Sequence, residues 1–166
     1  FDRSVPGCGS TACFRACKTM AERAGVSMPD NTVNRFQVAV SEGADGHITR
    51  LSRDGLASGV AAIDGELAAG RPVIIGVSHQ GGRDYNRDGM TDHFVLITGK
   101  HRDVEGNIYY TAHDPGTRFA SRGRDQRFYV AADGNLVKDG RVAYGSVPER
   151  HQEMAMVIPA VTAPYR

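Results

Sequence analysis

The stretch "PVIIGVSH", residues 72–79, decides the fold, because it is a continuous apolar run that a polar loop follows. Such a run is typical of a central strand that is buried on both faces. The run "HFVLITG", residues 93–99, has the same character. A third strand, "IYYTAHD" at residues 108–114, follows a tight turn at residues 105–107. These runs predict the middle of an antiparallel sheet.

The residues before these strands predict helices. One apolar stripe at helical spacing indicates a first helix over residues 10–24, and it contains Cys13, Ala16, Cys17, Met20 and Ala24. A second helix is expected over residues 31–41, and a third ends at Gly70. Residues 127–131 and 154–159 are weaker strand predictions. With helices first and the sheet afterwards, the sequence predicts an α+β fold in which N-terminal helices pack on an antiparallel β-sheet.

Length and composition favour one domain over residues 1–166 and exclude several classes of function. The net charge is +1, so nothing in the charge balance favours nucleic acid or a membrane surface. No apolar run approaches the roughly 18 residues that a membrane-spanning helix needs. We expect a monomer, and we expect a processed or excised piece because the chain begins at Phe1 without Met.

All three cysteines lie in "GCGSTACFRAC", residues 7–17. Cys13 and Cys17 fall on the apolar stripe, which predicts small buried hydrophobic residues. Their spacings do not match a zinc knuckle. Cys8 lies outside the stripe, just before the helix, between Gly7 and Gly9. The positive end of a helix favours a thiolate, so Cys8 is the predicted nucleophile.

A base and an orienting residue are predicted by the hairpin alone. His93 begins the second buried strand and Asp114 ends the third, so the two residues are neighbours across the ladder. His93 would act as general base and acid, and Asp114 would orient its ring. His79 is the main rival base, whereas alternation points His113 to the opposite face. Backbone N–H groups at Cys8 and Gly9 could face a developing oxyanion.

The motifs "CGSTA", "LAAGRPVIIGV", "DHFVLITG" and "YYTAHDPGT" occur in this order between about residues 8 and 116. In order and spacing they resemble the papain-like cysteine peptidase superfamily, and most of all the C39-type double-glycine peptidases and their C39-like relatives. The resemblance implies a papain-like fold and a triad of Cys8, His93 and Asp114 that hydrolyses an amide bond. That family usually has a Gln about six residues before the nucleophile. Asp2 stands there, and Gln80 or Gln37 could substitute.

The size of the domain also resembles that of bacterial cell-wall amidases, including type VI secretion amidase effectors and NlpC/P60-like peptidases. This resemblance favours the stem or cross-links of peptidoglycan as substrate, and a secreted antibacterial effector that is delivered to the periplasm of a target cell. An immunity protein is then a candidate partner. A protein-directed protease for self-processing or leader removal is the alternative enzyme. A non-catalytic, calcium-braced binding module is the alternative of another class.

The calcium hypothesis comes from "DYNRDGMTD", residues 84–92. Asp84, Asn86, Asp88 and Asp92 occupy positions 1, 3, 5 and 9 of a calcium loop. Position 12 is Val95, so the bidentate carboxylate of an EF-hand is missing and only a partial oxygen cage remains. The other interpretation is a polar hairpin loop without metal. Calcium is therefore the one candidate cofactor, and hydrolysis requires none.

Overall fold

The computed structural model describes residues 12–44, 47–79, 91, 93–116, 123–124, 126–138 and 152–161. Two helices and nine strands lie in this part of the chain. In chain order they are α1 (Ala12–Arg23), β1 (Phe36–Gln37), β2 (Ala39–Glu42), β3 (Ile48–Leu51), α2 (Arg53–Ala68), β4 (Val73–His79), β5 (His93–Arg102), β6 (Ile108–His113), β7 (Gln126–Val130), β8 (Leu136–Lys138) and β9 (Gln152–Ile158).

Six antiparallel strands close into a barrel in the order β9-β4-β5-β6-β7-β8, and β8 pairs back onto β9. Lys138 lies opposite Gln152 at this closure. The short strand β1 pairs with β9 farther along, where Phe36 lies opposite Val157. Strands β2 and β3 form a separate hairpin. Closure removes the free edges that an open sheet would leave.

The predicted α+β fold, with papain-like N-terminal helices on an antiparallel sheet, is therefore wrong. The described part of the chain is mostly β, with a closed barrel and two short helices. Residues 31–41 form no helix but include β1 and the start of β2. The Val38 amide donates to the Ala155 carbonyl at 2.9 Å, so pairing with a distant strand replaces local helical bonds.

Strands β4, β5 and β6 lie where the apolar runs predict them, and β4 is buried on both faces. Alternate residues of β4 and β5 point into the barrel, and the residues between them point outward. The apolar interior contains Val73, Ile75, Val77, Val95, Ile97, Tyr110, Ala112, Phe128, Leu136, Met154 and Val157. The two central strands therefore carry an apolar layer on each side.

Helix α1 covers the outer layer. Phe14, Cys17 and Ala21 pack against the outward side chains of β4, β5 and β9. The ring of Phe14 meets that of Phe94 edge to face, with 5.3 Å between centroids. The buried face of α1 thus passes through Phe14, whereas the predicted stripe passed through Cys13. Because successive residues of a helix are about 100° apart, Cys13 lies at the margin of the buried face.

Helix α2 packs on the barrel interior through Ile63, which is fully buried. Ser52 caps its start, because the Ser52 hydroxyl accepts a hydrogen bond from the Gly55 amide at 3.0 Å. A Cβ at Gly55 would lie only 1.8 Å from the Gln37 carbonyl oxygen. Close approach of β1 to this helix therefore requires glycine at position 55. Neither helix in the described ranges is long and apolar enough to span a membrane.

We predict opposite effects of alanine at two glycines of α2. Gly55→Ala forces its new methyl group against the backbone of Gln37 and should lower the free energy of unfolding by about 1–3 kcal/mol. Gly65→Ala is the matched control, because a Cβ there meets no atom within 4 Å. It should raise stability by about 0.5–1 kcal/mol. Urea unfolding measures both, and equal effects of the two substitutions would contradict this packing of α2.

Candidate active site

His93 and Asp114 meet at one end of the barrel, where β5 begins and β6 has just ended. Their side chains lie 2.7 Å apart, from His93 Nε2 to Asp114 Oδ1. The side chain of His93 is 13% exposed and that of Asp114 is 1% exposed. The contact predicted from the hairpin is therefore confirmed. The catalytic roles assigned to the two residues stay predictions.

Backbone groups hold the Asp114 carboxylate in place. The Asp114 amide donates to the Gly123 carbonyl at 2.8 Å. The Gly116 amide donates to Asp114 Oδ1 at 2.6 Å, so this oxygen accepts hydrogen bonds from both Gly116 and His93. An ionised carboxylate has acceptor capacity for two such bonds. Asp114 thus presents a fixed acceptor to Nε2 of His93.

Among the described residues, the thiol that lies beside His93 is Cys13, near the start of α1. The two side chains lie close enough for His93 to lower the pKa of the Cys13 thiol. Nε2 is bonded to Asp114, so a proton exchanged with the sulfur would pass through Nδ1. Cys13 packs against the apolar layer beneath α1, as predicted, but it is only partly buried and also lies beside His93. Cys13, His93 and Asp114 thus form a row in which His93 lies between the thiol and the carboxylate and is hydrogen-bonded to the carboxylate.

A signal for this position was present in the sequence. Phe14 is the only aromatic residue of α1, and burying the largest apolar side chain contributes most to helix docking. A stripe through Phe14 continues at helical spacing to Cys17 and Ala21. When this face of the helix is buried, Cys13 lies at the margin of the buried face. The predicted stripe follows Cys13 and Cys17 instead, and it therefore places Cys13 on the buried face of the helix.

Three of the predicted site residues lie outside the described residues, namely Cys8, Gly9 and Gln80. The same holds for Asp2 and for the calcium-loop residues Asp84, Asn86, Asp88 and Asp92. Gln37 is described, and its side chain donates to the Ala39 carbonyl at 2.9 Å. Within the ranges that the structure describes, no three His, Cys, Asp or Glu side chains are grouped to hold a metal ion.

The electrostatics of the row favour a charged pair. Burial raises the pKa of the Cys13 thiol, but the hydrogen bond and the charge of His93 lower it more, with help from the Phe94 and Phe14 amides. The net result is a pKa below the ordinary 9.0. Burial lowers the pKa of His93, whereas the charge and hydrogen bond of Asp114, together with Cys13, raise it to about 10. Both shifts favour a thiolate beside an imidazolium at neutral pH.

Cys17 lies one turn farther along α1, and the pKa of its thiol is shifted in the opposite direction. It is fully buried in the layer between helix and barrel. Burial raises its pKa well above 9.0, and the negative charges of Cys13 and Asp114 raise it further. A thiol of this kind is inert as a nucleophile. The prediction that Cys17 is a small core residue is confirmed.

Other histidines have contacts of different kinds. His47 lies 3.4 Å from Glu153, from Nδ1 to Oε1. His101 stacks on Tyr109 on the outer surface of the barrel, with 5.3 Å between the ring centroids. His113 pairs with Leu96 across the sheet. The side chain of the rival base His79 is outside the described residues.

Comparisons with protein-family models, with curated proteins and with solved structures found no match for this chain. The assignment of the site therefore depends on its geometry and chemistry. The resemblance to C39-type peptidases stays a prediction.

We predict that His93→Ala raises the pKa of the Cys13 thiol, because the substitution removes the main group that lowers it and leaves burial in place. Iodoacetamide alkylation of Cys13 as a function of pH, in a Cys8→Ala background, measures this. The wild-type rate should rise at a pH below 9.0, and the variant's rate only at a higher pH.

The matched control is His101→Ala, which removes an exposed histidine from the barrel surface. Its alkylation profile should follow that of the parent protein. Coincident profiles for the parent and His93→Ala would contradict the thiolate–imidazolium pair.

Proposed function

We propose that this chain is a cysteine hydrolase that cleaves an amide bond through a thioester intermediate, with Cys13 as its nucleophile. One observation carries the proposal. A helix-start thiol lies beside a histidine whose Nε2 is hydrogen-bonded to a buried carboxylate. A nucleophile, a base within reach of it, and a group that orients the base are the three parts that covalent catalysis requires.

In the first half of the reaction, the Cys13 thiolate attacks the amide carbonyl and a carbon–sulfur bond forms. The His93 imidazolium then donates its proton to the leaving amine, and the carbon–nitrogen bond breaks. A thioester to Cys13 remains, and His93 is neutral. In the second half, His93 accepts a proton from water as the water attacks the thioester. This proton transfer restores the imidazolium of His93. The carbon–sulfur bond then breaks, which releases the carboxylic acid and restores the thiolate of Cys13.

Asp114 supports both halves without exchanging a proton. Its Oδ1 accepts a hydrogen bond from Nε2–H of His93. This bond selects the tautomer in which Nδ1 exchanges the proton with the sulfur. Its negative charge stabilises the imidazolium. Cys13 is also the second residue of α1, where the helix dipole favours negative charge on sulfur.

We further propose peptidoglycan, at its peptide stem or cross-links, as the substrate, with antibacterial secretion as the context. The support for this part is the resemblance of a domain of this size to cell-wall amidases. The fold by itself does not determine a substrate.

Two cysteine substitutions test the nucleophile. Cys13→Ala should lower the rate of amide hydrolysis by roughly 10³-fold or more, because the residues of such a unit act together. Cys8→Ala is the matched control and should retain activity. The reverse result would assign the reaction to Cys8, as the sequence predicts, and would refute the role of Cys13. Equal activity of both variants and the parent would refute a cysteine mechanism.

Digestion of purified peptidoglycan tests the substrate. Mass spectrometry of the released muropeptides should show new peptide ends with the parent protein and none with Cys13→Ala. Cleavage of a denatured protein substrate, without new muropeptides, would favour the protease alternative and reject the cell-wall substrate.

A further inference from the structure

Gly116 lies directly over the bonded pair of His93 and Asp114. Its amide donates to Asp114 Oδ1 at 2.6 Å, the same oxygen that His93 contacts at 2.7 Å. Gly116 itself is exposed, whereas Asp114 beneath it is buried. One backbone segment therefore covers the carboxylate and supplies it with a hydrogen-bond donor.

The space around Gly116 admits no side chain. A Cβ there would lie 2.8 Å from Asp114 Oδ1, and 3.2 and 3.3 Å from Nε2 and Cε1 of His93. Carbon does not approach a heavy atom as closely as 2.8 Å unless something shifts. Glycines 25, 70, 106 and 134 adopt a positive φ, and Gly116 is not among them. Close approach, rather than backbone conformation, thus accounts for glycine at position 116.

We infer that Gly116 is a positioning residue of this site, because its amide fixes Asp114 Oδ1 and its lack of a side chain lets His93 and Asp114 meet. The inference deepens the proposed function and depends on it only for the catalytic consequence. Gly116 touches no reacting atom. It acts through Asp114, then His93, on the thiolate of Cys13.

Gly116→Ala can be accommodated in two ways, and each disturbs the row. If residue 116 stays in place, the methyl group pushes Asp114 and His93 apart. If the exposed segment moves outward instead, the hydrogen bond from the amide of residue 116 to Asp114 Oδ1 is lost. Either change weakens the support of the imidazolium, so the thiolate of Cys13 loses part of its stabilisation.

The test compares Gly116→Ala with Gly65→Ala, each in a Cys8→Ala background. Gly65 also gains a methyl group, but into open space on α2. We expect kcat for Gly116→Ala to fall roughly 10- to 100-fold, as for a misplaced catalytic group. The pH profile of Cys13 alkylation should move to higher pH, and Gly65→Ala should change neither quantity.

A merely structural role for Gly116 would lower the melting temperature and leave the alkylation profile where it is. A folded Gly116→Ala protein with the parent's profile would therefore overturn the inference. If hydrolysis is absent in every variant, the proposed function fails, but the alkylation profile still decides the role of Gly116.

A measurement on the unsubstituted chain decides the matter if Gly116→Ala does not fold. In NMR spectra, an amide that donates a short bond to a carboxylate has a downfield proton resonance. The Gly116 amide should show this and should move upfield in Asp114→Asn, because the bond to a charged acceptor is the stronger one. An ordinary resonance that Asp114→Asn does not shift would overturn the inference.

Discussion

The antiparallel pairing of β5 with both β4 and β6 is the constraint on which the rest of this structure depends. It sets Val77 opposite His93 on one side and Leu96 opposite His113 on the other. The same register buries Val95 and Ile97 inside the barrel and turns Phe94 and Leu96 toward α1. One strand therefore determines the core, the docking surface of the helix and the position of the histidine.

The direction of the strands then concentrates polar groups at one end of the barrel. Because neighbours are antiparallel, β4, β6 and β8 end where β5, β7 and β9 begin. Asp114 is buried at this end, and the other buried polar residues at these strand ends are Ser78, Gln126, Lys138 and Gln152. Burying polar groups is costly unless hydrogen bonds satisfy them, and Ser78 meets this condition by donating to Glu42 at 2.9 Å.

The sequence was sufficient to predict the central strands and the contact of His93 with Asp114. Apolar runs and one tight turn are local features, and the contact follows from the hairpin between them. Barrel closure was not predictable in this way, because β8 has only three residues and because β9 pairs with β4, which is distant in the chain. Residues 36–37 are strand only through the partner strand β9. The face of α1 is a different case, because Phe14 marks it in the sequence and the contact of Phe14 with Phe94 sets it in the structure.

The central claim is that contact with His93 makes Cys13 the reactive thiol of this chain. Labelling of the native protein with less than one equivalent of iodoacetamide, at about pH 6 where ordinary thiols are protonated, tests it most directly. Tryptic cleavage yields residues 4–15 as one peptide with Cys8 and Cys13, and Cys17 in the next. Tandem mass spectrometry then locates the label. The account predicts carbamidomethylation at Cys13, and a label on Cys8, or spread evenly over the cysteines, would contradict it.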